Sequence, residues 1–209
     1  MTNLKEKLNE IRQKEASDLS IYQKFIRVLL VFIFGAVMGI LAKYTDGTII
    51  GLIGTYLGIW IFIATLISVY SRSPEAGAIH VFAFFMAMLL AYYIYSMKLF
   101  GFFPGYYFFA WVGVALLTPI GAYVVWYSKG NNLISSIFAS LPISVLLWEG
   151  YSFYYTFSMP EFIDIVFAVL LLFILSKNSK QIFRTIFISI VLFFVILKSD
   201  IIYLFIGGL

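Results

Sequence analysis

The sequence predicts an all-α integral membrane protein, with about seven transmembrane helices in one compact bundle, six being the alternative count, and a cytoplasmic N-terminus preceding the bundle as an amphipathic helix. Three observations carry this prediction. Of the 209 residues, 63% are hydrophobic and 11% charged, whereas a soluble domain is about half apolar and a quarter charged. Seven apolar runs are each long enough, or nearly so, to cross a hydrocarbon core that takes about 20 helical residues. The basic residues collect in alternate connecting segments.

Taken in chain order, residues 1–24 are hydrophilic, and the first apolar run is too long to be a cleaved signal, so that run is expected to serve as its own anchor. Within this segment Leu4, Leu8, Ile11 and Leu19 share one helical face, and Glu10 and Lys14 are spaced for an i,i+4 pair. This reads as an interfacial or bundle-capping helix, with docking of a cytoplasmic partner as the alternative. Residues 25–209 form the transmembrane domain, with spans at 25–42, 48–70, 76–97, 106–127, 133–155, 160–176 and 181 to about 200. Lys198, Ser199 and Asp200 interrupt the last apolar stretch, so a helix ending near Asp200 with an apolar tail at the interface is expected. The short connections predict that consecutive helices pack as antiparallel neighbours. Small residues at i,i+4, namely Gly35 and Gly39, Gly54 and Gly58, and Ala83, Ala87 and Ala91, predict close helix contacts.

With the N-terminus inside, Lys5, Lys7, Arg12, Lys14, Lys24, Arg27, Arg72, Lys129, Lys177, Lys180 and Arg184 fall on the cytoplasmic side. Only Lys43, Lys98 and Lys198 fall outside, a positive-inside bias that fits a multi-pass protein of the plasma membrane. The net charge of +4 then needs no nucleic-acid partner, and the bilayer itself is the first partner. The absence of cysteine and the single histidine exclude thiolate chemistry and a histidine-built metal site, so no metal, cofactor or catalytic residue is assigned.

Glu149 carries the most chemical information. It lies sixteen residues into its span, roughly 24 Å into a core about 30 Å thick, where a carboxylate needs a partner. Pro142 and Pro119 release the carbonyls of Phe138 and Ala115, and Thr118, Ser140 and Ser144 are at hand to satisfy them. The kinked fourth and fifth spans are therefore expected to diverge and leave a cavity. Trp148, Tyr151, Trp111 and Tyr92 stand at the outer ends of the spans, either as an interfacial belt or as a ligand-lining cluster. Ser158 and Glu161 have capping-box spacing, and Asp164 sits one turn deeper, either as a second helix-start acid or beside Glu149. Lys43 and Asp46 are expected to pair at the surface, and His80 to be a satisfied packing residue.

The run Gly39-Ile40-Leu41-Ala42-Lys43-Tyr44-Thr45-Asp46, with Trp60, Ser71-Arg72-Ser73-Pro74, residues 84–93 and Trp126-Tyr127, resembles a family of small polytopic bacterial membrane proteins of unknown function. The resemblance covers roughly the first two thirds of the chain and implies a membrane fold without an activity. In size, tight loops and aromatic outer side the chain is also similar to the substrate-capturing membrane subunits of vitamin uptake systems. The leading functional expectation is binding or transport of a small organic solute, cationic or heteroaromatic, from the outer side. Its site residues are Glu149, Trp148, Tyr151, Asp164, Trp111 and Tyr92, and a protein partner or homo-oligomer would assist. The alternatives are an integral membrane enzyme acting on lipid through Glu149 and Asp164, and a structural or regulatory subunit that docks a partner through its N-terminal helix. The enzyme reading is the weaker one, since no phosphate loop, nucleophile elbow or paired-carboxylate motif occurs.

Overall fold

The computed structural model describes residues 2–14 and 19–199, and every regular element among them is helical. The elements are α1 (Thr2–Ile11), α2 (Ile21–Tyr44), α3 (Ile49–Thr55), α4 (Leu57–Val69), α5 (Pro74–Phe100), α6 (Gly105–Trp126), a 3₁₀ turn (Tyr127–Lys129), α7 (Leu133–Gly150), α8 (Phe153–Thr156), α9 (Met159–Leu175) and α10 (Ser179–Ser199). Among the described residues five segments are long and apolar enough to cross a membrane: α2, α5, Gly105–Lys129, Leu133–Thr156 and α10. The apolar α4 and α9, of 13 and 17 residues, are shorter. The apolar tail beyond Ser199 lies outside the described residues.

Local chemistry explains most of the boundaries. Ser20 starts α2 with a capping box closed by Gln23, and Ser73 caps α5 just ahead of Pro74. Gly101 ends α5 at φ 76°, a left-handed conformation that glycine adopts without steric cost. Asn132 caps α7 by accepting from the Ser135 amide at 2.9 Å.

Two corrections to the expected order stand out. The second span is not one helix: it breaks at Tyr56, which has extended backbone (φ −83°, ψ 149°), into α3 and α4. Consecutive helices are also not always the closest neighbours. α5 and α6 do run antiparallel through Leu89, Tyr93, Ala115 and Trp111, but α2 packs chiefly on α5, in parallel. Along that seam a side chain on Gly35 would strike the Phe84 carbonyl, and one on Gly39 the Met88 carbonyl. This bears out the small-residue stripe of the first span. α10 likewise packs on α7 more than on α9, and α4 lies in the middle, touching α5, α6, α7 and α9. Val69 of α4, Ala139, Ile143 and Leu146 of α7, and Ala168 and Leu171 of α9 form the main apolar core.

α1 closes one end of the bundle. Ile11 is buried against Trp126 and Tyr127, with Leu8 beside them. The Arg12 guanidinium donates to the Trp126 carbonyl at 2.6 Å and the Val69 carbonyl at 2.9 Å, and lies 3.9 Å from the centre of the Trp126 ring. These are the last carbonyls of α6 and α4, where a cation also meets the negative helix ends. The expected Glu10–Lys14 pair does not form: α1 ends at Ile11, and Lys14 instead bonds Glu75 at the start of α5. Arg12→Ala is expected to release α1, since hydrogen bonds to a charged group contribute about 1.5–3 kcal/mol. Limited proteolysis should then cleave the segment around residues 12–14 several-fold faster, and Arg12→Lys should rescue poorly because it lacks the planar fork. An unchanged cleavage rate would contradict the anchoring role.

Candidate functional site

The break at Tyr56 organises the interior at the end of the bundle opposite α1. α4 starts there without a side-chain cap from its own sequence, yet its first amides need acceptors. The acceptor comes from α7: the Leu57 N–H donates to Glu149 Oε1 at 2.6 Å. From α9, the Asp164 carboxylate presses against the next residue, so that a Cβ on Gly58 would overlap Asp164 Oδ1. Asp164 is 1% exposed. One oxygen of each acid, Glu149 Oε2 and Asp164 Oδ2, is buried without a hydrogen-bond partner. Glu161, one turn earlier on α9, is held by the hydroxyls of Ser152, at 2.8 Å, and Thr156. The capping box expected of Ser158 and Glu161 therefore does not form, and Ser158 makes no side-chain cap bond.

On the other flank of α4 lies a cavity of about 940 Å³, walled by α3, α4, α5, α6 and α7, with Ala42 of α2 and Asp46 at its edge. α6 and α7 come together near the α1 end, where Tyr123, Trp126 and Phe138 share one cluster, and the cavity separates them beyond it. Along α6 the wall extends from Tyr107 to Val125, and Pro104 continues it past the far end. Pro119 and Pro142 sit on the two helices that part. Thr118 lines the cavity and its hydroxyl donates to the Ala115 carbonyl at 2.7 Å, taking the place of the N–H that Pro119 lacks. The Ser140 and Ser144 hydroxyls, expected at the Phe138 carbonyl, donate instead to the carbonyls of Ile137 and Leu141. Trp60 spans the break, with its indole N–H 2.9 Å from the Gly54 carbonyl, and both residues line the cavity.

The six residues singled out from the sequence thus fall into three places. Trp111 and Tyr92 line the cavity. Glu149 and Asp164 meet at the first turn of α4, whose Leu57 is part of the cavity wall. Trp148 is half-buried away from that wall, and Tyr151 faces outward, its hydroxyl 3.1 Å from that of Tyr155 and its ring 5.6 Å from Phe193 of α10. Many other aromatic residues at this end, including Tyr106, Tyr154, Tyr155 and Phe157, are exposed as an interfacial belt would be. Lys43 bonds Asp46 at 2.7 Å as expected, but at 9% exposure it is enclosed under Tyr92 and Phe100 instead of reaching out to the surface. His80 is a satisfied packing residue, its Nδ1 2.9 Å from the Ser71 hydroxyl.

Sequence reasoning missed the Tyr56 break, the Trp60 brace and the hydroxyl pair on Glu161. A signal for the break was present: Gly51, Gly54 and Gly58 interrupt one span, and glycine-interrupted spans mark discontinuous helices in membrane transporters.

Apolar helices of this length around a partly polar interior define a polytopic helical membrane protein. No protein-family model, curated protein or solved structure matches the chain.

Proposed function

We infer that the chain crosses a bacterial plasma membrane seven times with its α1 end in the cytosol, and that it binds a small heteroaromatic or amphipathic organic solute for transport in the cavity between α4, α5, α6 and α7. The observation that carries this reading is the cavity itself. Its volume of about 940 Å³ is at the upper end of the range that holds small organic ligands, and apolar walls with a few placed hydroxyls are what such ligands require. Trp60, Trp111, Tyr92 and Tyr107 offer ring faces, and Thr118 and Tyr93 offer polar edges. The cavity extends along most of α6, as a transport route would need.

The solute is expected to be neutral. Among the described residues of the wall Asp46 alone is charged, and it is already paired with Lys43, while Glu149 is bound to α4. The same geometry draws support away from lipid chemistry by Glu149 and Asp164, since neither carboxyl is part of the cavity wall. Anchoring of α1 by Arg12 likewise favours bundle capping over partner docking.

A panel of neutral and cationic aromatic amphiphiles, added to the purified protein, tests the reading through ligand-induced thermal stabilisation. At least one neutral class should raise Tm, and Ala64→Trp, which fills the cavity wall from α4, should weaken that binding by about tenfold or more, a loss of about 1.4 kcal/mol. If no compound stabilises the wild type, or if the variant binds as the wild type does, the cavity is not a solute site.

A further inference from the structure

The carboxylate pair behind α4 has a chemistry of its own, independent of what fills the cavity. Glu149 Oε1 accepts from the Leu57 amide and the Gly58 amide also faces this carboxyl, but Glu149 Oε2 and Asp164 Oδ2 are buried without a hydrogen-bond partner. Asp164 is sealed on one side by Gly58, where no larger residue fits beside it. The titratable groups that face the pair from the surrounding elements are Glu161 on α9 and the Tyr56 phenol at the helix break; Ser152 and Thr156 contribute hydroxyls already bonded to Glu161. Among the described residues no lysine, arginine or histidine acts on it, and both ion pairs lie elsewhere.

An uncompensated pair of carboxylates in a low-dielectric interior cannot persist unrelieved, because the N-terminal dipole of a helix supplies only about half a positive charge. A proton or a metal cation must complete it. A bound metal would need several converging oxygen ligands, and among the described residues no three acidic or histidine side chains are grouped to hold one. We propose that Glu149 and Asp164 form a proton-binding site that holds one exchangeable proton between them at the first turn of α4. The proton adds to a carboxylate oxygen from water and returns to water, with no bond to another group formed or broken. Because Leu57 belongs both to this turn and to the cavity wall, the site is placed where a proton-coupled carrier would join its ion to its cargo.

The test uses infrared difference spectroscopy on the full-length protein in lipid nanodiscs, comparing mildly acidic with mildly alkaline buffer in H₂O and in D₂O. The wild type should show a carboxylic-acid C=O band above the amide region that shifts in D₂O and disappears on the alkaline side. Glu149→Gln keeps an oxygen for the Leu57 amide and Asp164→Asn is nearly isosteric; each should abolish the band, while Glu75→Gln, at the opposite end of the bundle, should leave it intact. No such band in the wild type would overturn the proposal, and this arm needs no variant to fold. A band that survives both substitutions, or one that follows sodium concentration at fixed pH, would also overturn it. The measurement contains no solute, so its failure is separate from failure of the cavity reading.

Discussion

Gly39→Val is expected to force α2 away from α5 and to destabilise the protein by about 3 kcal/mol, the upper part of the usual cost of overpacking. The backbone carbonyl of Met88 occupies the space a Cβ would need, and a carbonyl in a helix cannot rotate aside as a side chain can. Gly35 faces the Phe84 carbonyl in the same way, so Gly35→Val together with Gly39→Val should prevent the two helices from docking. The effect is read as a lower Tm in detergent and earlier aggregation on heating. Gly113→Val is the control, since a Cβ there meets open space. If Gly39→Val and Gly113→Val melt alike, the α2–α5 seam is not as close as described.

The second large effect is expected at Gly58. An alanine methyl would overlap Asp164 Oδ1, and Asp164, enclosed on all sides, has little room to retreat. Either the acid swings away or α4 shifts and loses the Glu149 bond to Leu57. We expect Gly58→Ala to lower stability by about 2–3 kcal/mol, as overpacking combined with a disturbed charge would. Asp164→Ala made in the Gly58→Ala background should restore part of that loss. A double-mutant cycle over the two positions should give a coupling within the range of about 0.5–3 kcal/mol found for residues in contact. Strict additivity would mean that the two positions do not touch.

These two sites show what the sequence could and could not reveal. The Gly35 and Gly39 stripe announced a close helix contact, because a four-residue spacing of small residues marks one helix face, but it did not name α5 as the partner. Partner choice is a tertiary outcome, and short loops alone pointed to sequential neighbours. The extents of α5, α6, α9 and α10 fall close to the apolar runs, since lipid-crossing length and polar flanks are written directly into composition. The hydroxyl of Thr118 on the Ala115 carbonyl also followed from the proline beside it.

The break at Tyr56 was harder to read because nothing local demands it. Gly54 and Gly58 weaken the helix, but the carboxylates that accept its freed amide and press on its first turn come from about 90 and 100 residues away. The sequence marks Glu149 as an acid in need of a partner, and the fold supplies one in the Leu57 backbone amide, which no local pattern names. In the sequence Arg12 reads as an orienting charge and Lys14 also as a partner for Glu10; their contacts with Trp126, Val69 and Glu75 depend on how the helix ends assemble.

A bundle set through a bilayer places the α1 end and the far end on opposite sides of the membrane. Because the chain has no cysteine, single cysteines can be placed without background. Phe102→Cys lies in the connection between α5 and α6 at the far end, and Lys177→Cys in the connection between α9 and α10 at the α1 end. With a membrane-impermeant maleimide on intact cells, position 102 should label directly and position 177 only after the membrane is permeabilised. Labelling of both from the same side would contradict the arrangement.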